Sequence, residues 1–353
     1  MKTNAVADSL HPYKATLHGN GSIIVFDFGI EVGGTVHLDY TSTGSGALGL
    51  AFTEAKNWIG EKGTYAMPDK YLRGGFRYLT VLLITDDSAS VQIDVLTLEL
   101  AFKPTWANLR AYQGYFHCSD ELLNGIWYSG AYTLQTNEVP PAVLPRVSHL
   151  GAVAPELPEN IASFISSFEI QSHVIAHEPA RALDLIRCSW GWYINNPNGT
   201  ESTVIEGYLQ NGTFGYRIDR GYGYDPSYVS HAHGWSSGPS SALTEYVVGL
   251  SVVSPLGLTW KIAPQFGDLE FAEAGFVTSL GKFQASWILN SSGYVLTFSV
   301  PKGTDGNVTL PYVTASKKPS ITIDDDQLIK GVAYVDSTAT VEVTGGSHKV
   351  VVT

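Results

Sequence analysis

The chain has 353 residues, a formal charge of −12 and 44% hydrophobic side chains, with charged residues making up only 15%. That length predicts two or three domains, with apolar content sufficient for ordinary cores. A sparsely charged, acidic surface with scattered Lys and Arg argues against nucleic acid and anionic membrane as partners, since both select clustered cations.

No apolar run reaches about 18 residues, so no membrane-spanning helix is expected. The opening MKTNAVADSL holds no apolar core, so no signal peptide is visible. Cys118 and Cys188 cannot form a metal site alone, and their spacing leaves two free core thiols or one disulfide open. Sequons at Asn20, Asn198, Asn211, Asn290 and Asn307, in a chain rich in Gly, Ser, Thr, Tyr and Trp, fit a secreted carbohydrate-active protein.

From Ser22 to Phe102 the pattern is β. Ile23–Phe28, Thr35–Tyr40, Ala47–Phe52, Arg77–Ile84 and Val91–Phe102 are short β-branched or aromatic runs, punctuated by Gly-Gly at 33–34 and 74–75 and by Asp86-Asp87-Ser88. This spacing predicts an antiparallel sandwich, with Glu54 and Arg77 as surface or structural charges. After Pro104 the pattern becomes helical. Ser119 is the expected N-cap of a helix that runs to Asn137. Residues 138–150 form a Pro-rich seam without a period. Helices are predicted over Glu159–Ala176, over Ala180–Tyr193 after Pro179, and over Ser240–Leu250, the last closed by Gly249 or Pro255. From Leu258 onward short β runs return, predicting a second sandwich with Val350–Val352 as a final edge strand.

Between the last two helices lies the least regular stretch, Trp190–Trp235, with three Trp, six Tyr, eight Gly, two Glu and two His. A long irregular stretch within a compact domain is more often functional than filler. Aromatic rings among carboxylates suit a sugar site, where rings cover apolar sugar faces and polar groups take hydroxyls. Glu201 and Glu206 are equal candidates for a catalytic carboxylate on residue type alone. Trp190, Trp192 and Trp235 are candidate platforms or core residues. His231 and His233, two apart, do not suit a helical metal pair.

Longer motifs carry a resemblance. Gly114-Tyr115-Phe116-His117-Cys118-Ser119-Asp120-Glu121-Leu122-Leu123-Asn124, with Trp127, Tyr132 and Gln135, resembles the entry to the catalytic domain of fungal-type α-L-rhamnosidases of glycoside hydrolase family 78. Leu72–Tyr78 resembles the end of the preceding β-domain. Ser189–Arg217 and Tyr222–Leu250 resemble the last helices and loops of the (α/α)6 barrel, and Trp260–Gln265 with Leu280–Phe283 resembles the C-terminal sandwich. The resemblance implies two antiparallel β-sandwiches, 1–112 and 252–353, flanking a truncated barrel remnant at 113–251. It implies an extracellular protein acting on rhamnosylated glycosides or oligosaccharides, without cofactor or metal.

The implied reaction is hydrolysis of terminal α-L-rhamnosides with inversion, which needs an acid and a base about 6.5–9.5 Å apart. Ser202-Thr203-Val204-Ile205-Glu206 matches the family's base segment, so Glu206 is expected as general base, with His233 as a substrate contact. The family's general acid lies in an Asp/Arg/Trp-rich segment that has no counterpart here. Length agrees: twelve helices and their loops need roughly 190 residues, whereas Phe116–Ser251 spans 136 and shows four helical patterns. Apolar helix faces written for barrel neighbours are expected to lie on the sandwiches or stay exposed. The expectation is a half-site with negligible hydrolysis. The alternatives are a non-catalytic carbohydrate-binding or scaffold protein, or a fragment from an incomplete gene model.

Overall fold

The computed structural model describes residues 3–6, 14–50, 55–59, 62–66, 73–85, 88–100, 112–137, 160–217, 222, 225, 228–311, 320–324, 326–327, 333–335 and 338–353. Glu54 and the seam at 138–150 lie outside the described residues. The chain divides into two compact units. One is Met1–Arg110, Tyr132–Asn160 and Ile194–Gly234; the other is Ala111–Ala131, Ile161–Tyr193 and Trp235–Thr353. The helical segment expected at 113–251 therefore contributes to both units. Among the described residues the fold is mostly β with few helices.

The first unit is built on one eight-stranded sheet, ordered Ala15–His18, Ser90–Leu100, Ile23–Thr43, Arg73–Thr85, Gly46–Leu50 and Ala55–Ile59, with two further strands on Ile23–Thr43. The separate strands expected at Ile23–Phe28 and Thr35–Tyr40 are one strand of 21 residues. Its first half pairs with Arg73–Thr85 and its second with Ser90–Leu100. The Gly-Gly pair that reads as a turn is a bulged stretch, with register shifts between Asp27 and Gly34. Gly34 is required there because a Cβ would stand 2.1 Å from the Glu99 carbonyl oxygen. Both halves feed one core: Ile24 and Phe26 join Leu38, Leu48, Leu79, Leu83 and Ile93. Each such side chain contributes about 1.5–3 kcal/mol by leaving water. The bulge also carries Glu31 inside, where only 4% of it is exposed.

The second unit holds two sheets. The five-stranded sheet runs Leu250–Val252, Thr259–Ile262, Asp305–Pro311, Thr338–Thr344, Ala333–Val335. Its second and third strands pair in parallel, so the expected all-antiparallel arrangement does not hold. The seven-stranded sheet runs Asp326–Gln327, Ile321–Ile323, Ser347–Val352, Gly293–Ser299, Gly281–Asn290, Phe271–Thr278, Tyr115–Cys118. Here the C-terminal strand is interior, paired on both sides, rather than the expected edge. The outer place beside Phe271–Thr278 falls to Tyr115–Cys118, which precedes the first helix and is too short to show a period. Trp260 is buried in this unit and donates its indole N–H to Thr304 Oγ1 at 2.9 Å.

The four helical segments are present: α1 (Glu121–Thr136), α2 (Ser163–Ile175), α3 (Pro179–Ile194) and α4 (Gly238–Ala242), the last continuing into a π-turn over Leu243–Val248. Asp120, not Ser119, caps α1, because its Oδ1 accepts the Leu122 and Leu123 amides at 2.9 and 3.3 Å. Ser119 Oγ instead accepts the Glu270 amide. The second Asp120 oxygen accepts Arg187 Nε at 2.7 Å, and the same guanidinium forks onto Asp268 at 2.8 and 3.0 Å. Gly249 closes the last helix in the left-handed region (φ 86°). Helix α2 lies within the expected Glu159–Ala176. Its buried positions are Ser163, Ser166, Ser167, Ile170 and Val174, while Ile165 and Phe168 face solvent. Of the paired cysteine alternatives, both thiols are free, and Cys188 is exposed rather than in the core. No described helix is long and apolar enough to cross a membrane.

Candidate active site

The segment ending at Glu206 has no regular secondary structure, so its backbone groups need partners from side chains and other loops. Val204 donates its amide to Thr133 Oγ1 on α1 at 2.8 Å. Thr203 Oγ1 donates to the His231 carbonyl at 2.6 Å, and the Thr203 amide is taken by Thr200 Oγ1 at 3.1 Å. Glu206 N–H reaches the Ser230 carbonyl and His233 N–H the Val204 carbonyl, both at 2.8 Å. The runs 203–206 and 230–233 are thus laced together over Thr133 and Thr203, which are wholly buried.

This lacing fixes the half-buried Glu206 carboxylate. Oε1 accepts the Tyr222 hydroxyl, and Oε2 accepts the Ser230 amide at 3.2 Å. Burial and the bond to Glu206 both raise the Tyr222 pKa, so the phenol remains a donor. Tyr216 is raised in the same way, by burial and then by the Glu206 charge. Arg217 lies over the Tyr222 ring, 5.8 Å from its centroid. His233 is held below the ordinary histidine range by burial, with the Glu206 charge opposing. The carboxylate has two oriented donors and unused lone pairs, an arrangement able to accept a proton or a hydroxyl bond.

In the same unit a cleft of about 1040 Å³ is lined by Glu31, Arg77, Tyr78, Glu201, Tyr228 and His231, among others. Ser230, whose amide holds Glu206, is also in its wall. Burial pushes the Glu31 carboxyl up to about 7, with Arg77 opposing. Arg77 itself is bound to both Asp27 oxygens at 2.9 and 3.1 Å, in keeping with a structural charge.

The sequence candidates separate in space. Glu206 and His233 lie together, the histidine close enough to feel the carboxylate. Glu201 is exposed in the cleft wall, in a left-handed conformation (φ 56°), and does not share the Glu206 hydrogen bonds. His231, rather than His233, lines the cleft, its ring edge-on to Phe214 at 5.0 Å. Trp190, Trp192 and Trp235 belong to the other unit. Trp190 is core: it is 2% exposed and donates its indole N–H to the Ser236 carbonyl at 2.7 Å. Trp192 is half-buried, and Trp235 is exposed with its ring 5.0 Å from Phe164. Sequence reasoning missed Tyr222, Ser230, Thr133 and Glu31. The Tyr in a Gly-Tyr run and the Thr inside a helix carry no local signal for these partnerships.

Part of the chain matches a known family, and its fold is similar to that of solved structures. Residues 253–321 match the family described as bacterial alpha-L-rhamnosidase C-terminal domain. The fold is similar to that of a family 78 rhamnosidase from Bacillus sp. GL1, with 15% identity and a TM-score of 0.60 over 81% of this chain and 53% of that one. It is also similar to the Streptomyces avermitilis α-L-rhamnosidase solved in complex with L-rhamnose, with 12% identity and a TM-score of 0.52 over 96% of this chain and 53% of that one. No curated protein matches the sequence. The family match is confined to residues 253–321, the likeness over the rest of the chain is one of fold, and the chain spans about half the length of these two solved structures.

Proposed function

We propose that this chain recognises rhamnosides through one half of an inverting glycosidase site, with Glu206 in the base position. The observation that carries this reading is the Glu206 carboxylate, held by the Tyr222 hydroxyl and the Ser230 amide. An inverting site needs a second carboxyl on the opposite sugar face, about 6.5–9.5 Å away. The acid-bearing segment of the family has no counterpart in this sequence. Loss of a general acid costs about 10²–10⁴-fold, and loss of substrate positioning costs more. Binding without appreciable turnover is therefore the expected behaviour. The extracellular setting implied by the resemblance belongs to the same reading, supported by five sequon asparagines that are all exposed.

Calorimetric titration with L-rhamnose, paired with release of the aglycone from an aryl α-L-rhamnoside, tests this. Saturable heat without release is the expected result. Release that disappears in Glu206→Gln would show a working hydrolase and overturn the half-site. Absence of heat at millimolar rhamnose would remove sugar recognition itself.

A further inference from the structure

We propose that Glu31 and the cleft beside it form an anchoring subsite for one neutral sugar ring, with the Glu31 carboxyl bonding a sugar hydroxyl. This rests on the sugar-recognition reading above and extends it, moving an anchor onto the long β-strand and outside the helical segment.

Three observations carry it. The cleft, at about 1040 Å³, is at the upper end of the roughly 300–1,000 Å³ typical of small-molecule sites. Glu31 borders it, is 4% exposed, and its Oε2 has no hydrogen-bond partner among the described residues. A buried polar atom left without a partner is costly, and native structures keep few of them. A ligand hydroxyl would satisfy it.

The remaining lining selects the ligand class. Arg77 is committed to Asp27 through a two-point bond, so it offers little to an anionic ligand. Burial holds His231 below the ordinary histidine range, which favours its neutral form. The raised Glu31 is largely protonated on the acid side of neutrality and able to donate. Tyr78 and Tyr228 present exposed rings, 53% and 63% accessible, that can cover the apolar face of a pyranose. A neutral polyhydroxylated ring fits these groups better than a phosphate or a carboxylate.

The test is calorimetry with L-rhamnose on the full chain and on Glu31→Ala, Glu31→Gln and Tyr78→Ala. Glu31→Ala removes the hydroxyl partner and is expected to weaken binding about tenfold or more. Glu31→Gln keeps a donor of the same shape and is expected to stay within about threefold. Tyr78→Ala, on the surface, is expected to lose about fivefold. Should Glu31→Ala fail to fold, retained binding by Glu31→Gln together with the Tyr78→Ala loss decides in favour. Wild-type binding that Tyr78→Ala and any folded Glu31→Ala leave within about twofold overturns this subsite alone. A wild-type chain that gives no heat overturns it together with the proposed function.

Discussion

Glu31 also makes a prediction about stability that needs no ligand. Its carboxyl moves from 4.5 to about 7 on folding, chiefly through burial. The folded state then holds the proton more tightly than the unfolded chain does. The stabilisation is full below the ordinary value, is lost as pH rises through the interval, and is gone above about 7. A gap of about 2.5 pH units at ~1.36 kcal/mol each gives about 3 kcal/mol. Glu31→Gln keeps the shape of the side chain and cannot ionise. Relative to wild type, the variant should gain about 3 kcal/mol between pH 4 and pH 8, whatever constant offset the substitution brings. Urea unfolding of both proteins at several pH values, followed by circular dichroism, measures this difference. If the two stabilities run parallel across that range, Glu31 is not ionising in a buried setting and the reasoning fails.

Four further outcomes follow from named contacts. Tyr222→Phe removes a donor from Glu206 while leaving the ring, and should weaken rhamnose binding about three- to tenfold by calorimetry. Arg187→Ala breaks its bonds to Asp120 and Asp268, and a shift of the urea midpoint should report a loss of about 2 kcal/mol. Gly75→Ala places a Cβ 2.5 Å from that of Ala232 at a positive φ of 63°; a loss of at least about 1–3 kcal/mol is expected, with disturbance at His231 and His233 visible in their NMR shifts. Trp190→Ala should cost about 3–5 kcal/mol in thermal or urea unfolding, as expected of a core residue rather than a sugar platform.

How much of this was readable beforehand depended on the range of the interaction. Strand runs at 259–262, 281–290 and 338–344 were legible because alternation and turn residues are local. The cap of α1 was misplaced by one residue because Ser119 and Asp120 are both good caps, and the choice rests on Glu270, far along the chain. Only a five-residue resemblance separates Glu206 from Glu201 in the sequence, since both are carboxylates in the same Gly- and aromatic-rich stretch. What distinguishes the two is Tyr222 and Ser230, 16 and 24 residues away, and sequence spacing cannot announce such pairs. Glu31 carries no local signal in the sequence that marks it as buried. It is buried because the strand bulges there and continues instead of turning.

Helix α2 shows why a correct period leaves the buried face open. The apolar residues Ile161, Phe164, Ile165, Phe168 and Ile170 mark the segment as helical by their spacing. The structure buries Ile170 and Val174 together with three serines, while Ile165 and Phe168 face solvent, and distance is one reason. Ser167 packs so closely on Gly238 that a Cβ there would stand 2.2 Å from the serine Oγ. Small residues at Ser167 and Gly238 allow that approach; Ser163 and Ser166 are also buried. Phe164 lies between Phe168 and Trp235, with both ring centroids 5.0 Å from its own, and its two neighbours are exposed. Helical spacing of apolar residues therefore does not by itself choose the buried face of α2; close approach at Ser167 and Gly238 also decides it.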